Sequence, residues 1–346
     1  MHIYFFTGTG NSYRTAQKLK ELSVANGHLS LLTPVDGLKR KDIKPAPEDH
    51  LFAFFYPTHG FSLPWHMLKF ICRFPSGKGK VALVNNRAGM KMGRLFTPGL
   101  SGIALLLPMI ILLIKGYRIA AMVPLDTPSN WISIHPGIRK KVVSSIFLQR
   151  ENEIAHMWAC LKKGKGYYPL KFFLLLPLDL LISPISLAYV FYGRFMLART
   201  YLADHKCNGC GLCADRCPVG AIKMIRKQPY WTYRCESCMR CANICPEKAI
   251  NSSIPLTVLY TWLFIKIIAI DGPLKFIWDH LEGLGNAPFF LIKYMILWVL
   301  TFLGSLLLYQ LFYSLNRIKV FKYIFAFTTP MKFWRHYIAP GFKGKY

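Results

Sequence analysis

Eight of the ten cysteines lie between Cys207 and Cys245, and this crowding constrains the structure of the chain more than any other feature. They form two runs with the same spacing, in which gaps of two, two and three residues are followed by a proline. The first residues, Met1–Phe6, lack the basic region and long apolar core of a secretory signal, so we expect a cytoplasmic compartment. Cysteines crowded in a non-secreted chain indicate metal binding rather than disulfides.

The spacing of both cysteine runs resembles the two-cluster pattern of bacterial ferredoxins. That resemblance implies two [4Fe–4S] clusters, the first held by Cys207, Cys210, Cys213 and Cys245 and the second by Cys235, Cys238, Cys241 and Cys217. A zinc site is the alternative, but zinc takes four ligands and does not account for eight cysteines in a doubled array. Adjacent clusters imply one-electron transfer, and the eight basic against four acidic residues at positions 204–250 favour an acidic redox partner protein.

A glycine-rich turn near the amino terminus is the second strong motif. It lies between the first predicted strand and the first predicted helix and consists of Thr7, Gly8, Thr9, Gly10, Asn11 and Ser12. Its glycines expose backbone N–H groups, its hydroxyls add donors, and the helix that follows favours a phosphate at its first turn. The turn resembles the phosphate loop of flavodoxins, which implies FMN as a cofactor.

The first 165 residues alternate short apolar runs with helical patterns, which is typical of a doubly wound parallel sheet. The predicted strands are 3–6, 29–32, 51–56, 81–84 and 117–123, and the predicted helices are 11–25, 64–74, 97–115 and 138–163. We therefore expect an α/β flavodoxin-like sheet, followed by a small α+β dicluster ferredoxin domain and apolar helical segments.

Ligands of such sheets bind beyond the carboxyl ends of the strands. Two segments there are predicted to flank the flavin ring. The candidate contacts are Pro57, Thr58, His59 and Gly60 after the third strand, and Asn86, Arg87 and Gly89 after the fourth. Arg87 is expected either to offset the charge of reduced flavin or to be solvated.

Both modules in one chain resemble the flavodoxin–ferredoxin fusion proteins known as EFR-type ferredoxins. The likeness covers about residues 1–165 and 204–250 and implies FMN, two clusters and an electron-transfer role. We expect a flavodoxin-like domain at 1–165, an apolar connector at 166–203, a dicluster domain at 204–252 and an apolar helical, membrane-associated tail at 253–346. The connector is expected either to dip into a membrane and return or to pack as an apolar connector.

The composition points to a membrane surface rather than to nucleic acid, because the net charge of +28 is combined with 53% hydrophobic residues and only 17% charged ones. A hairpin with spans at 254–270 and 290–315 is one prediction, with a slightly acidic connection outside and the basic end of the chain inside. Interfacial helices on anionic lipid are the other. The remaining alternative is a soluble protein with a very apolar core, or one whose apolar faces are buried against a partner subunit.

The leading hypothesis is electron transfer between FMN and two [4Fe–4S] clusters at the cytoplasmic face of a membrane. The first alternative is a membrane reductase of a quinone or another small acceptor, supported by the apolar tail beside the redox centres. The second is a flavin-free iron–sulfur carrier in which the flavodoxin-like domain is a docking scaffold. No acid–base constellation identifies a catalytic residue.

Overall fold

The computed structural model describes residues 1–38, 43, 50–92, 95–133, 135–265 and 287–344. The strands of its main sheet are β1 (His2–Phe5), β2 (Leu31–Pro34), β3 (Leu51–Pro57), β4 (Lys80–Met92), β5 (Leu95–Thr97) and β6 (Arg118–Pro128). Within these described residues, parallel strands follow the order β2-β1-β3-β4-β6, and β5 pairs antiparallel with the end of β4. This is the strand order of the flavodoxin-like doubly wound sheet, so the predicted fold class is confirmed.

Four helices of the first unit are α1 (Asn11–Ala25), α2 (Trp65–Arg73), α3 (Leu106–Ile114) and α4 (Lys140–Lys162). The strands bury both faces, because successive side chains point to opposite sides of the sheet. Phe52 and Phe54 of β3 pack in the core that contains α2 and α3, whereas Ala53 and Phe55 pack in the core that contains α1 and α4. The carboxyl ends of the neighbouring parallel strands β1 and β3 lie at the same edge of the sheet. The strand order changes direction between these two strands, and ligands of such sheets bind at that point.

Four predicted elements of the first unit are placed differently by the structure. The fourth and fifth strands do not end at residues 84 and 123, because β4 continues to Met92 and β6 to Pro128, and the two strands pair along this extension. The second strand begins at Leu31 rather than at Leu29, which is 85% exposed. The predicted helix 97–115 is a short 3₁₀ turn at Gly102–Ala104 followed by α3.

The connector is helical and bent. It contains α5 (Leu170–Leu181), α6 (Ser183–Ala188), a π-helical turn at Tyr189–Gly193 and α7 (Arg194–Ala198). Asp179 is buried in α5 and accepts hydrogen bonds of 2.8 Å from the amides of Ser101 and Gly102, which fixes the connector on the first unit.

The cysteine-rich unit follows with β7 (Tyr201–Ala203), α8 (Leu212–Asp215), β8 (Ile222–Ile225), β9 (Gln228–Trp231), α9 (Arg240–Ile244) and β10 (Ile250–Ser252). Strand β8 pairs antiparallel with β9, and β7 pairs antiparallel with β10. The first strand of this unit thus comes from the segment predicted as connector. Trp231, Tyr201 and Ile250 form its small core together with the cysteine side chains.

The tail contains α10 (Ile254–Ile265), α11 (Ala287–Leu315), α12 (Lys319–Phe327) and a 3₁₀ turn at Pro330–Phe333. The acidic connection predicted between the two spans, at 271–287, lies almost entirely outside the described residues. After the 3₁₀ turn, the carboxy-terminal segment, residues 335–344, runs back over the first unit. Arg335 and Gly137 exchange hydrogen bonds there, with an amide-to-carbonyl distance of 2.8 Å and a guanidinium-to-carbonyl distance of 3.0 Å.

Taken one at a time, the helices of the described residues are too short or too polar to span a bilayer. The segments Leu170–Leu181 and Ser183–Ala198 meet the length and composition of a span only as a pair, and they are bent by 67° relative to each other.

Candidate redox site

Two cavities hold the eight cysteines of the doubled motif. The first cluster cavity is lined by Cys207, Cys210, Cys213 and Cys245, among other residues. The second cluster cavity is lined by Cys217, Cys235, Cys238 and Cys241, among other residues. Each cavity thus takes three cysteines from one run and the fourth from the other, which is the arrangement that the ferredoxin resemblance implies.

Backbone conformation turns the cysteines toward these cavities. Helices α8 and α9 each begin after a residue with positive φ, Gly211 at 77° and Met239 at 63°. Backbone amides donate to three cysteine sulfurs, from Ala221 to Cys217 Sγ at 3.2 Å, and to the sulfurs of Cys235 and Cys245 at 3.4 Å. N–H···S bonds of this kind stabilise thiolates and raise the potential of an iron–sulfur cluster.

The two cluster cavities differ in exposure. Cys210 is exposed, whereas Trp231, which lines the second cavity, is fully buried. The first cavity therefore reaches the surface. The second is lined by residues of the cysteine-rich unit, and two of its cysteines, Cys217 and Cys235, pack against the core of the first unit.

The loop from Thr7 to Ser12 lies between β1 and α1 and is buried. Thr7 Oγ1 accepts the Gly10 amide at 3.0 Å, and Gly10 has a φ of 100°, a left-handed conformation that glycine adopts without strain. No side chain caps the first turn of α1. Ser12 is fully buried at that turn, and its hydroxyl has no hydrogen-bond partner among the described residues. The start of α1 can therefore still accept an anion.

Other parts of the chain pack directly against the outside of this loop. The buried Arg240 guanidinium donates to the carbonyl oxygens of Thr7 at 2.7 Å and Gly8 at 2.8 Å. A Cβ atom at Gly8 would overlap the Cys238 carbonyl oxygen, so only glycine permits this approach. The loop predicted to bind phosphate therefore contacts the second cysteine run.

The carboxy-terminal segment covers the other side of the loop. Tyr337 Oη donates to Asn11 Oδ1 at 2.6 Å, and the Ala339 amide donates to the Thr9 carbonyl at 2.8 Å. Phe342 packs against Gly10, where an added Cβ would lie 2.6 Å from the Phe342 side chain. Asn243 of α9 accepts the Tyr337 amide at 2.6 Å, so the segment joins the loop to the cysteine-rich unit.

A further cavity, the interdomain cavity, lies between the carboxyl ends of the sheet strands and the second cysteine run. Its lining includes, from the sheet, Thr58, His59, Gly60, Ala88, Ser129, Asn130 and Trp131, and from elsewhere Tyr189, Leu197, Ser237, Cys238 and Met239. Ser237, Cys238 and Met239 also line the second cluster cavity. The two cavities therefore share a wall that is formed by three consecutive residues.

The structure separates the predicted flavin contacts into two groups. Thr58, His59 and Gly60 line the interdomain cavity, whereas Pro57 and the loop from Thr7 to Ser12 are not part of its wall. The other group consists of Asn86, Arg87 and Gly89. These residues were predicted to form a loop, but the structure places them within strand β4. Ala88 is the residue of this strand that lines the cavity, and the alternation of side chains along a strand points its neighbour Arg87 to the other face.

Arg87 is not solvated. Its guanidinium is fully buried and pairs with Asp126, with a shortest distance of 2.6 Å. Asp126 also accepts the Gly99 amide at 2.8 Å and lies 3.6 Å from the Lys171 ammonium. Arg87 therefore belongs to a buried ion-pair network, so the alternative that it is solvated is wrong, whereas its effect on reduced flavin stays a prediction. Asn86 hydrogen-bonds Thr15 at 3.1 Å in the same interior.

Burial sets the charge of two groups near the cavities. It lowers the pKa of His59 to about 4, so the imidazole is neutral near pH 7, and His59 Nδ1 has no partner among the described residues. Burial raises the pKa of Glu236 to about 7, although its carboxylate accepts the amides of Trp65 at 3.0 Å and His66 at 2.8 Å. Glu236 thereby caps α2 from the neighbouring unit.

Sequence reasoning missed Arg240, Glu236 and the carboxy-terminal segment, although all three contact the redox site. Arg240 and Glu236 look like ordinary charged residues beside cysteines. Their burial, 3% and 6% exposed, depends on contacts with residues more than 100 positions away. The only available signal was the aromatic and glycine content of residues 337–344, which is unusual for a solvated end.

Comparison with known protein families supports the assignment of the cysteine-rich unit as an iron–sulfur domain. Residues 206–250 match the family described as the 4Fe-4S dicluster domain. None of the curated proteins compared matches the chain. The chain therefore carries a domain of the type that holds two [4Fe–4S] clusters, next to a flavodoxin-like α/β unit.

Solved structures similar to the chain include several flavodoxins. The flavodoxin of Streptococcus pneumonia TIGR4 is 13% identical over 46% of this chain and 96% of its own, with a TM-score of 0.31. A flavodoxin from the domain Archaea is 14% identical over 46% of this chain and 97% of its own, with a TM-score of 0.30. The flavodiiron core Flv1 of Synechocystis sp. PCC6803 is 13% identical over 47% of this chain and 36% of its own, with a TM-score of 0.32. The fold assignment rests on the strand order rather than on these overlaps.

Proposed function

We propose that the protein transfers electrons between FMN, bound on the flavodoxin-like unit, and two [4Fe–4S] clusters. The wall of Ser237, Cys238 and Met239 that the interdomain cavity shares with the second cluster cavity is the observation that carries this proposal. Electron transfer falls steeply with distance, and this wall is one residue thick. FMN, when bound, would supply the ability to exchange two electrons in single steps.

The residues present fit a flavin phosphate at the start of α1. The uncapped first turn offers backbone N–H groups, and the buried Ser12 hydroxyl lacks a partner among the described residues. At the other end, the neutral His59 imidazole and the Trp131 ring line the interdomain cavity, where a flavin ring would lie. The polar atoms and the cavity thus stand at the switch point of the sheet, as FMN requires.

The cysteines would hold the clusters in the crossed sets that line the two cavities. Electrons would then pass from the interdomain cavity to the buried second cluster and on to the first cluster, next to the exposed Cys210. The expectation of an acidic partner protein stays a prediction, and Cys210 marks the end at which such a partner would approach. Membership of the EFR-type fusions also stays a proposal.

Replacing Ser12 by alanine is expected to weaken FMN binding by about tenfold or more, because a hydrogen bond to a charged group contributes about 1.5–3 kcal/mol. The measurement is FMN affinity, from flavin fluorescence during titration of flavin-depleted protein that keeps its clusters. Ser144→Ala on the exposed side of α4 is the matched control and should bind FMN like the parent.

One outcome of the same titration would contradict the proposal outright. Protein with a full complement of iron that never retains FMN, even after reconstitution, would favour the flavin-free carrier. Unchanged affinity in the Ser12 variant would instead show that the phosphate lies elsewhere.

We further propose that the connector anchors the protein on the cytoplasmic face of a membrane. Helices α5 and α6 expose many large apolar side chains, among them Leu170 at 70%, Leu174 at 68% and Leu181 at 75%. A continuous apolar surface of this kind needs a cover of lipid or protein. The net charge of +28 supports anionic lipid as that cover.

The double substitution Leu174→Glu and Leu181→Glu is expected to reduce binding to anionic liposomes by about tenfold or more, because each carboxylate costs a few kcal/mol in the apolar layer. Flotation of the purified protein with liposomes measures this. Leu148→Glu is the control, since Leu148 is 64% exposed on α4, away from the connector. Equal flotation of parent and double variant would rule out the connector as the anchor.

A further inference from the structure

The tail and the connector line an apolar pocket that is partly open to the surface and that the proposed electron transfer does not use. Its wall includes Ile185, Ala188 and Met196 from the connector and Tyr260 from α10. We call it the apolar pocket. Within the described residues it is distinct from the two cysteine cavities, since it shares no residue with either.

The apolar pocket adjoins the interdomain cavity. Tyr189 and Leu197 line both of them, so two side chains separate the pocket from the place assigned to flavin. The Tyr189 ring packs so closely on Gly60 that a Cβ at that glycine would overlap it. A molecule in the apolar pocket would therefore lie one side chain away from the redox site.

The backbone at this wall is unusual. Tyr189–Gly193 forms a π-helical turn between α6 and α7, and such turns are frequent at functional sites. The turn places Tyr189, Tyr192 and Gly193 along the pocket. An uninterrupted α-helix would present a different set of side chains there.

The pocket combines a mainly apolar wall with hydroxyl-bearing residues, among them Thr200, Thr257 and Thr261. Thr257 donates to the Ser253 carbonyl at 2.8 Å, whereas no hydrogen bond of the Thr261 hydroxyl is found among the described residues. Apolar pockets with a small number of polar groups are typical of sites for small, largely apolar ligands.

Apolar side chains also surround the pocket on the surface. Phe191 is 64% exposed, Val258 61% and Trp262 53%. Ile185 of α6 lines the pocket and is itself 57% exposed, so the exposed apolar surface of the connector reaches the pocket. A ligand dissolved in a lipid layer could therefore enter the pocket without crossing water.

We propose that the apolar pocket binds a lipid-soluble quinone, with its ring next to Tyr189 and Leu197 and its hydrocarbon chain toward the surface. The proposal rests on the proposed electron-transfer function, because the adjacent redox site is what favours a quinone over a plain lipid chain. The binding itself depends only on residues of the pocket.

The test is direct binding of heptyl-hydroxyquinoline N-oxide, a fluorescent and redox-inert quinone analogue, to the full-length protein in mild detergent. We expect saturable quenching that Thr261→Trp weakens by about tenfold or more, because the indole fills the pocket from its rim. Val258→Trp is the matched control, since it adds the same side chain one turn earlier, outside the pocket. Ala188→Phe fills the pocket from the connector and gives a second, independent variant.

Three outcomes would overturn the proposal: no saturable binding, equal loss in the Thr261 and Val258 variants, or full competition by a saturated alkyl alcohol. The last would identify a site for hydrocarbon chains alone. Iron and flavin content are measured on every variant. Intact cofactors with no analogue binding would reject the quinone site, whereas missing FMN with normal analogue binding would reject the flavin half of the proposed function.

Discussion

Replacing Cys217 by alanine is expected to remove the second cluster, although Cys217 belongs to the first cysteine run. The reason is that Cys217 lines the cavity of Cys235, Cys238 and Cys241. Iron should fall from about eight to about four atoms per chain. Because the second cluster cavity adjoins the interdomain cavity, electron exchange between flavin and the remaining iron should also be lost. Iron analysis and rapid-mixing absorption spectroscopy measure the two effects.

The corresponding variant in the second run, Cys245→Ala, distinguishes this crossed arrangement of ligands from one in which each cysteine run holds its own cluster. Cys245→Ala should also leave about four irons, but it should spare exchange between flavin and the second cluster, since Cys245 lines the outer cavity. If each run held its own cluster, the two variants would exchange these phenotypes. Cys72→Ala is the control, because Cys72 is exposed on α2 and lines neither cluster cavity.

Gly8→Val is expected to separate the phosphate loop from the cysteine-rich unit. Any side chain at Gly8 overlaps the Cys238 carbonyl oxygen, and a backbone atom beside a cluster ligand cannot move aside as a flexible side chain would. The buried Arg240, which binds the carbonyl oxygens of Thr7 and Gly8, would lose its contacts as well. Overpacking of this kind costs about 1–3 kcal/mol, and loss of the arginine contacts adds to it.

Thermal unfolding of the fully loaded protein measures this cost, and flavin–cluster exchange measures the separation. We expect a lower melting temperature together with slower exchange at unchanged iron content. Gly304→Ala is the control, since nothing lies within 4 Å of a Cβ there and its backbone is helical. Normal exchange in Gly8→Val would show that the loop and Cys238 need not touch for electron transfer.

The sheet and the grouping of the cysteines follow from local patterns. Strands β1 and β3 are short and apolar and lie within one residue of their predicted bounds, because both are buried on two faces. The end of β4 could not be predicted in the same way. Asn85, Asn86 and Arg87 are polar and look like a loop, yet they continue the strand because β6 pairs with them and Asp126 neutralises the arginine.

The candidate site was harder to predict than the fold, because its walls come from distant parts of the chain. Thr58, His59 and Gly60 were found from their position after β3, which any parallel sheet of this order places at the ligand edge. Trp131, Tyr189 and Cys238 meet them only through packing between units. The spacing of residues along the sequence does not predict that packing.

The contact between Tyr337 and Asn11 joins residues that are 326 positions apart, and this has a consequence for biosynthesis. Residues of the first unit leave the ribosome long before the carboxy-terminal segment does. At about 5–20 residues per second, the roughly 200 residues between β6 and Tyr337 take about 10–40 s to translate. During that interval the glycine-rich loop lies open to solvent and to small molecules. Maturation of the protein should therefore be ordered in time, with the outer side of the loop accessible in the nascent first unit before the carboxy-terminal segment packs against it.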